Sequence, residues 1–237
     1  MSDIIQSHDY SNREQCKTAQ KVARPSVSEL MRPQALSDLT LPMAEIERLE
    51  KMVETKSIMN MLLVGESGTG KTSAAYLFKN FTDLNRVLRN GRRLFLRWNG
   101  LAVKDAAWVR DNMRLDSFFG AGGFTIGFLD RAELVPEAAQ QAIATWIDGL
   151  AATQRVILAT NDISKIIPEL HSRLMPICFD IEPARSAEVQ TRLFKRYANV
   201  LAEKGIVFDE ERLKKVIEDK FPDLRSVANH IEFELFW

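Results

Sequence analysis

Two regimes of apolar spacing run along the chain. Between residues 61 and 181, short apolar runs alternate with amphipathic stretches; from about 185 onward the helical spacing stands alone. Met61-Leu62-Leu63-Val64 is too short for a helix and suits a sheet covered on both faces, so it predicts a buried strand. Leu94-Phe95-Leu96-Arg97-Trp98, the run from Thr125 to Asp130, the run from Arg155 to Thr160 and Ile177-Cys178-Phe179-Asp180-Ile181 predict four more. Met43, Ile46, Leu49 and Val53 form one stripe of a helix over 43–56, and Ala74, Ala75, Leu77 and Phe78 lie on another just after residue 70. A further helix is expected over 136–149, and three close the chain over 185–204, 209–220 and 223–235. Strands alternating with helices predict an α/β fold with a parallel sheet sandwiched by helices, followed by a small all-α domain. The expected divisions are a flexible tail over 1–26, a nucleotide-binding-type α/β domain over 27–182 and a helical lid over 183–237.

Composition narrows the class. The 237 residues are 46% hydrophobic and 27% charged, ordinary values for a globular protein with its own core. No apolar run approaches the roughly 18 residues of a membrane span, and the polar N-terminus lacks the apolar centre of a signal peptide. Cys16 and Cys178 are the two cysteines, which suits a reducing, cytoplasmic setting and excludes a zinc module built on cysteine. Lys plus Arg and Asp plus Glu both number 32, so any affinity for nucleic acid has to come from a local patch or from several subunits together.

The densest chemical signal is Gly65-Glu66-Ser67-Gly68-Thr69-Gly70-Lys71-Thr72, followed by Ser73. Glycines let backbone N–H groups turn inward around phosphate oxygens, and the helix that follows aims its positive end at the same place. In such a loop Lys71 reaches the β- and γ-phosphates of ATP, and the Thr72 hydroxyl binds Mg²⁺. A second metal-side carboxylate is expected at the end of a buried strand, and Asp130 ends one. Asn161, after the next strand, could hold an attacking water or a phosphate; alone it would read as an ordinary turn.

The order of these motifs resembles the ATPase subunits of sliding-clamp loaders, of the replication factor C small-subunit and bacteriophage kinds, within the AAA+ family. The resemblance runs from about Met31 to Leu235. Arg32-Pro33 is similar to the family's segment near the adenine. Asp130 with Gln140-Gln141-Ala142 resembles its second ATP motif and the helix after it. Asn161 stands at the sensor 1 position, Ser172-Arg173 resembles the arginine-finger motif, and Phe221-Pro222-Asp223-Leu224-Arg225 resembles sensor 2. The resemblance implies ATP and Mg²⁺ as cofactors and a homo- or hetero-oligomeric ring or spiral acting on a sliding clamp and DNA. It implies Arg173 pointing across a subunit interface and Arg225 touching ATP from the lid. Asn99 sits where the family often has a polar residue that couples ligand binding to catalysis.

Two departures stand out. The family follows the strand-end aspartate with a water-polarising glutamate, but here the order is Asp130-Arg131-Ala132-Glu133. Arginine does not deprotonate in proteins. Either hydrolysis is weak, or Glu133 substitutes through a different backbone turn. The chain also ends soon after Arg225, so a collar domain of its own is not expected. Lys79, Arg86, Arg89, Arg92, Arg93 and Arg97 face a single acid, Asp83, and form either a DNA-phosphate patch or a solvated surface. The helix over 136–149 has no basic residue, which weakens the DNA reading. Two other functions stay open: a DNA-associated AAA+ regulator or loader that recruits another protein, and a non-catalytic ATP-binding assembly subunit.

Overall fold

The computed structural model describes residues 26–81, 95–115 and 125–236. The tail over 1–25 and Arg86, Arg89, Arg92 and Arg93 of the basic run lie outside the described residues.

Five parallel strands form one sheet: β1 (Met61–Val64), β2 (Phe95–Asn99), β3 (Thr125–Asp130), β4 (Gln154–Thr160) and β5 (Met175–Cys178), in the order β2-β3-β4-β1-β5. Every pairing is parallel, with Leu63 opposite Ala159 on one side and Ile177 on the other. Alternation along β1 sends Met61 and Leu63 to one face and Leu62 and Val64 to the other, and all four are buried. The first face packs on α2 (Met43–Glu54) and α3 (Lys71–Phe81) through Ile46, Leu49, Leu77 and Phe78. The second packs on α4 (Ala106–Asn112), α5 (Glu137–Asp148) and α6 (Pro168–His171) through Val109, Ile143, Ile147 and Leu170. Each such side chain contributes about 1.5–3 kcal/mol by leaving water.

The fifth strand was expected over 177–181, and the structure sets it two residues earlier. Its partner β1 ends at Val64, opposite Cys178, and the last ladder bond is donated by Phe179 N–H to the Val64 carbonyl at 2.7 Å. Asp180 then leaves the sheet for a different partner, described below. The segment 106–112, not singled out by its apolar spacing, is helical because Asp105 caps it, accepting from Trp108 N–H at 2.8 Å.

After β5 the described chain is helical: α7 (Pro183–Glu203), α8 (Glu210–Lys220) and α9 (Leu224–Phe236). Pro183 fits the first turn of α7, where its missing N–H is no loss, and Asp209 caps α8. These helices bury their own cluster, with Leu193, Tyr197, Leu213, Ile217, Val227 and Ile231, which also takes in Val27 and Met31 from α1 (Val27–Leu30) and the turn after it. Helix α7 holds the segment between α1 and α2 by its arginines. Arg196 donates to the Met31 carbonyl at 2.7 Å and pairs with Asp38 at 3.4 Å, while Arg192 donates to the carbonyls of Leu39 and Leu41. The helical region is thereby fixed against the chain that carries Arg32 and Pro33.

Candidate functional site

The chain leaves β1 through a loop whose φ angles only glycine adopts easily, +150° at Gly65, +85° at Gly68 and +103° at Gly70. Three bonds brace it. Thr69 Oγ1 donates to the Glu66 carbonyl at 2.9 Å, Thr40 Oγ1 donates to the Thr69 carbonyl at 3.2 Å, and Glu66 N–H donates to Asp180 Oδ1 at 2.9 Å. Lys71 Nζ donates to the carbonyls of Gly65 and Glu66 at 2.5 and 2.6 Å. Burial pulls this ammonium below its ordinary pKa, while Glu133, then Asp180 and Asp130, act against the shift. A buried cation held by two carbonyls, beside N–H groups at the start of α3, is chemistry suited to phosphate oxygens.

The loop opens on a cavity of about 700 Å³ between the sheet and the helical region. Among the residues expected from sequence, Arg32, Pro33, Ser67, Gly68, Gly70, Lys71, Thr72 and Ser73 line it. Asp130, Asn161 and Arg225 also do, as does Asn99, whose side chain caps the turn after β2 by accepting from Leu101 N–H at 3.0 Å. Gly65, Glu66, Thr69 and Glu133 are not among the lining residues; the first three support the loop from behind. The lid meets the loop directly. Leu224 N–H donates to the Gly68 carbonyl at 3.1 Å, and Asp223 caps α9 through the N–H groups of Arg225 and Ser226 at 3.0 and 3.1 Å.

At the sheet side of the cavity, Thr72 Oγ1 lies 3.5 Å from Asp130 Oδ2. The same oxygen accepts from Arg97 at 2.7 Å. The sequence groups Arg97 with a basic run that is either a DNA-phosphate patch or a solvated surface; in the structure Arg97 lines this cavity, because β2 lies beside β3 with Asn99 opposite Asp130. Burial acts to lower the Arg97 pKa, but its hydrogen bonds to Asp130 and Tyr76 carry the net shift upward.

The odd residue at 131 has a backbone consequence. Arg131 is left-handed, φ 58° and ψ 51°, a conformation that costs a non-glycine residue about 1–2 kcal/mol. Its carbonyl lies against Gly100, where an added Cβ would sit 2.0 Å from that oxygen. The turn swings Glu133 back beneath the end of β4, where its carboxylate accepts from Asn161 Nδ2 at 2.8 Å and Asn161 N–H at 3.2 Å. Gln140, buried on α5, donates to the Val135 and Lys165 carbonyls at 3.0 and 2.8 Å and accepts from Ile167 N–H at 3.0 Å, tying the chain after Asn161 to α5 and to the turn before it.

Arg173 is not among the residues lining this cavity. It makes a two-pronged pair with Asp148 at the end of α5, Nε to Oδ1 at 2.8 Å and Nη2 to Oδ2 at 2.7 Å, and donates to the Glu169 carbonyl at 2.7 Å. The hydrogen bond from Arg173 holds the Asp148 carboxyl below its usual range. Sequence reasoning missed Asp148, Asp180, Asp223 and Tyr76 as neighbours of the expected site residues. Asp223 lies inside a motif already singled out, but its contact with Gly68 crosses most of the chain, and nothing local signals such a pairing.

The donor set fits a nucleotide triphosphate with a small divalent ion. The loop supplies N–H groups and an ammonium, and Thr72 and Asp130 supply two oxygens 3.5 Å apart that could face such an ion. Among the described residues there is no cluster of three His, Cys, Asp or Glu. Among the same residues, no helix is long and apolar enough to cross a membrane.

A parallel sheet with a braced glycine loop after β1 and an aspartate ending β3 defines a P-loop ATPase fold. Residues 61–180 match the model of the ATPase family associated with various cellular activities (AAA), and the chain belongs to that family. It is 30% identical over 216 residues to the replication factor C small subunit of Thermoplasma volcanium, covering 86% of this chain and 62% of the relative. It is 29% identical over 208 residues to the subunit of the same name from Sulfurisphaera tokodaii, covering 86% and 61%. The chain thus spans about three fifths of the length of these relatives. In fold it is similar to the Thermotoga maritima RuvB Holliday junction branch migration motor, with a TM-score of 0.63 and 14% identity over 84% of this chain and 63% of that one.

Proposed function

We propose that this chain binds ATP with Mg²⁺ and works as one subunit of a clamp-loader-type oligomer, a ring or spiral acting on a sliding clamp and DNA in replication. The observation that carries the nucleotide part is the meeting of Lys71, Thr72, Asp130, Asn161 and Arg225 at one cavity above a phosphate-type loop. The similarity to replication factor C small subunits supports the clamp-loader part. Bound ATP with Mg²⁺ would supply the transferable phosphoryl group and the divalent charge. Lys71 and the loop N–H groups would hold the phosphates, and Thr72 and Asp130 the metal shell. Arg32 and Pro33 would border the base. Arg225, at the first turn of α9, would tie the lid to bound nucleotide. Arg173, outside the cavity, would reach the site of a neighbouring subunit after leaving Asp148.

Hydrolysis in this reading is weak. Arg131 cannot take a proton from water. Glu133 is the nearest replacement along the chain, and its carboxylate is already engaged by Asn161. This arrangement favours ATP as an assembly ligand with slow turnover.

The test combines binding, mass and turnover. A fluorescent ATP analogue should bind in the presence of Mg²⁺, and Lys71→Ala should abolish the binding. Light scattering should show ATP-dependent assembly into a closed or lockwasher oligomer; an open filament on DNA would instead favour the regulator reading. Turnover should stay slow with DNA and partner proteins present. Fast turnover unchanged in Glu133→Gln would overturn the account of Arg131 and Glu133.

A further inference from the structure

The acid expected to face the metal has a cation of its own. Arg97 Nη2 donates to Asp130 Oδ2 at 2.7 Å, and this is the oxygen that Thr72 Oγ1 approaches at 3.5 Å. The guanidinium is held in that position. Its other terminal nitrogen donates to Tyr76 Oη at 3.3 Å, and its carbon lies 6.0 Å from the centres of the Tyr76 and Phe128 rings. Tyr76 comes from α3, the helix that begins with Lys71 and Thr72, so Arg97 links the phosphate-side helix to the metal-side strand. The pair is not sealed: the Arg97 side chain is 45% exposed and that of Asp130 17%. An ion pair open to solvent can exchange partners at modest cost.

The charge of the cavity leads to the same place. Arg32, Lys71, Arg97, Arg131 and Arg225 line it against one acid, Asp130. The lining side chains are thus mostly cationic; Glu133 and Asp180 offset part of that charge at Lys71, and Glu29, 3.5 Å from Arg32, offsets part of it there, which leaves Arg97 as the cation closest to Asp130. Arginine keeps its charge at any working pH and presents several donors in one plane, so it can hold a carboxylate or a phosphate in turn.

We propose that Arg97 is a resident cation at the metal corner of the nucleotide site: it neutralises Asp130 until a divalent ion displaces it, and it lets a nucleoside triphosphate bind with little help from Mg²⁺. This rests on the reading of the cavity as a nucleotide site. Arg97 is a positioning residue here, acting through Asp130 and the ligand charge. A purely structural pair would steady β2 against β3 and leave the metal dependence of binding where it was.

The experiment measures binding of a fluorescent ATP analogue to the full chain, in excess Mg²⁺ and in EDTA, for the natural protein, Arg97→Gln and Arg97→Lys. The natural protein should change affinity by less than about threefold between the two conditions, whereas Arg97→Gln should lose about tenfold or more in EDTA and stay within about threefold in Mg²⁺. With nucleotide near saturation, the apparent Mg²⁺ affinity, followed with Mn²⁺ by electron paramagnetic resonance, should tighten about tenfold in Arg97→Gln because Asp130 is released. Arg97→Lys keeps the charge on a different shape and should fall between the two; it carries the test if the glutamine variant loses its thermal transition. Equal metal dependence in the natural protein and the variants would overturn the role of Arg97 and leave the nucleotide reading standing. Failure of the natural protein to bind the analogue in either condition would overturn both.

Discussion

Gly68 joins the phosphate loop to the lid, and replacing it with alanine tests that joint. Its φ is +85°, and a Cβ there would lie 1.9 Å from Asp223 Oδ1 and 2.6 Å from Asp223 Cγ. The left-handed backbone alone costs alanine about 1–2 kcal/mol. To clear the clash, the Asp223 carboxylate must turn away and give up the N–H groups of Arg225 and Ser226 that it caps. Loss of a helix N-cap costs about 1 kcal/mol. Gly68→Ala should therefore destabilise by about 2–3 kcal/mol, read as a lower urea midpoint with an unchanged slope. Asp223→Ala should cost about 1 kcal/mol by itself. In the double variant the clash is gone and the cap is lost once, so the combined cost should fall short of the sum by about 1 kcal/mol. Additivity within about 0.3 kcal/mol would refute the contact, and so would a Gly68→Ala cost below about 1 kcal/mol.

Other outcomes follow from single features. Burial lowers the Lys71 pKa, so the folded protein sheds that proton before the unfolded chain does; stability should rise with pH in the window just below 10.5 while nucleotide affinity falls, and the stability rise should be missing in Lys71→Met by denaturation across that range. Burial raises the Tyr197 phenol to about 12, so alkaline absorbance titration of the folded protein should show one tyrosine ionising well after the ordinary ones. Phe128 is fully buried beside Tyr76 and Phe95, at ring distances of 6.5 and 6.2 Å, and Phe128→Ala should cost about 3–5 kcal/mol in chemical denaturation. The Asp148 carboxyl is held low by the hydrogen bond from Arg173, so in Arg173→Ala its side-chain resonance should titrate at higher pH, in the ordinary aspartate range; an unmoved titration would count against the two-pronged pair.

The sequence by itself determined most of the elements and pointed to phosphate chemistry. Met61–Val64 reads as a short buried strand, the loop from Gly65 to Thr72 announces phosphate chemistry, and Asp130 stands out because it ends an apolar run. These are local signals, in which a residue's type and its near neighbours already carry the physics. What the tertiary structure alone decided is which charges meet. Arg97 looked like part of a surface run, yet a parallel register turned it onto Asp130, 33 residues away. Arg131 looked like a lost catalytic group, yet its left-handed turn delivered Glu133 to Asn161. Arg173 gained Asp148, and Gly68 gained Asp223, through contacts between elements far apart in the chain. Periodicity records which face of an element is apolar, whereas ion pairs and clashes depend on distances between elements, and those are set only when the sheet and the lid have packed.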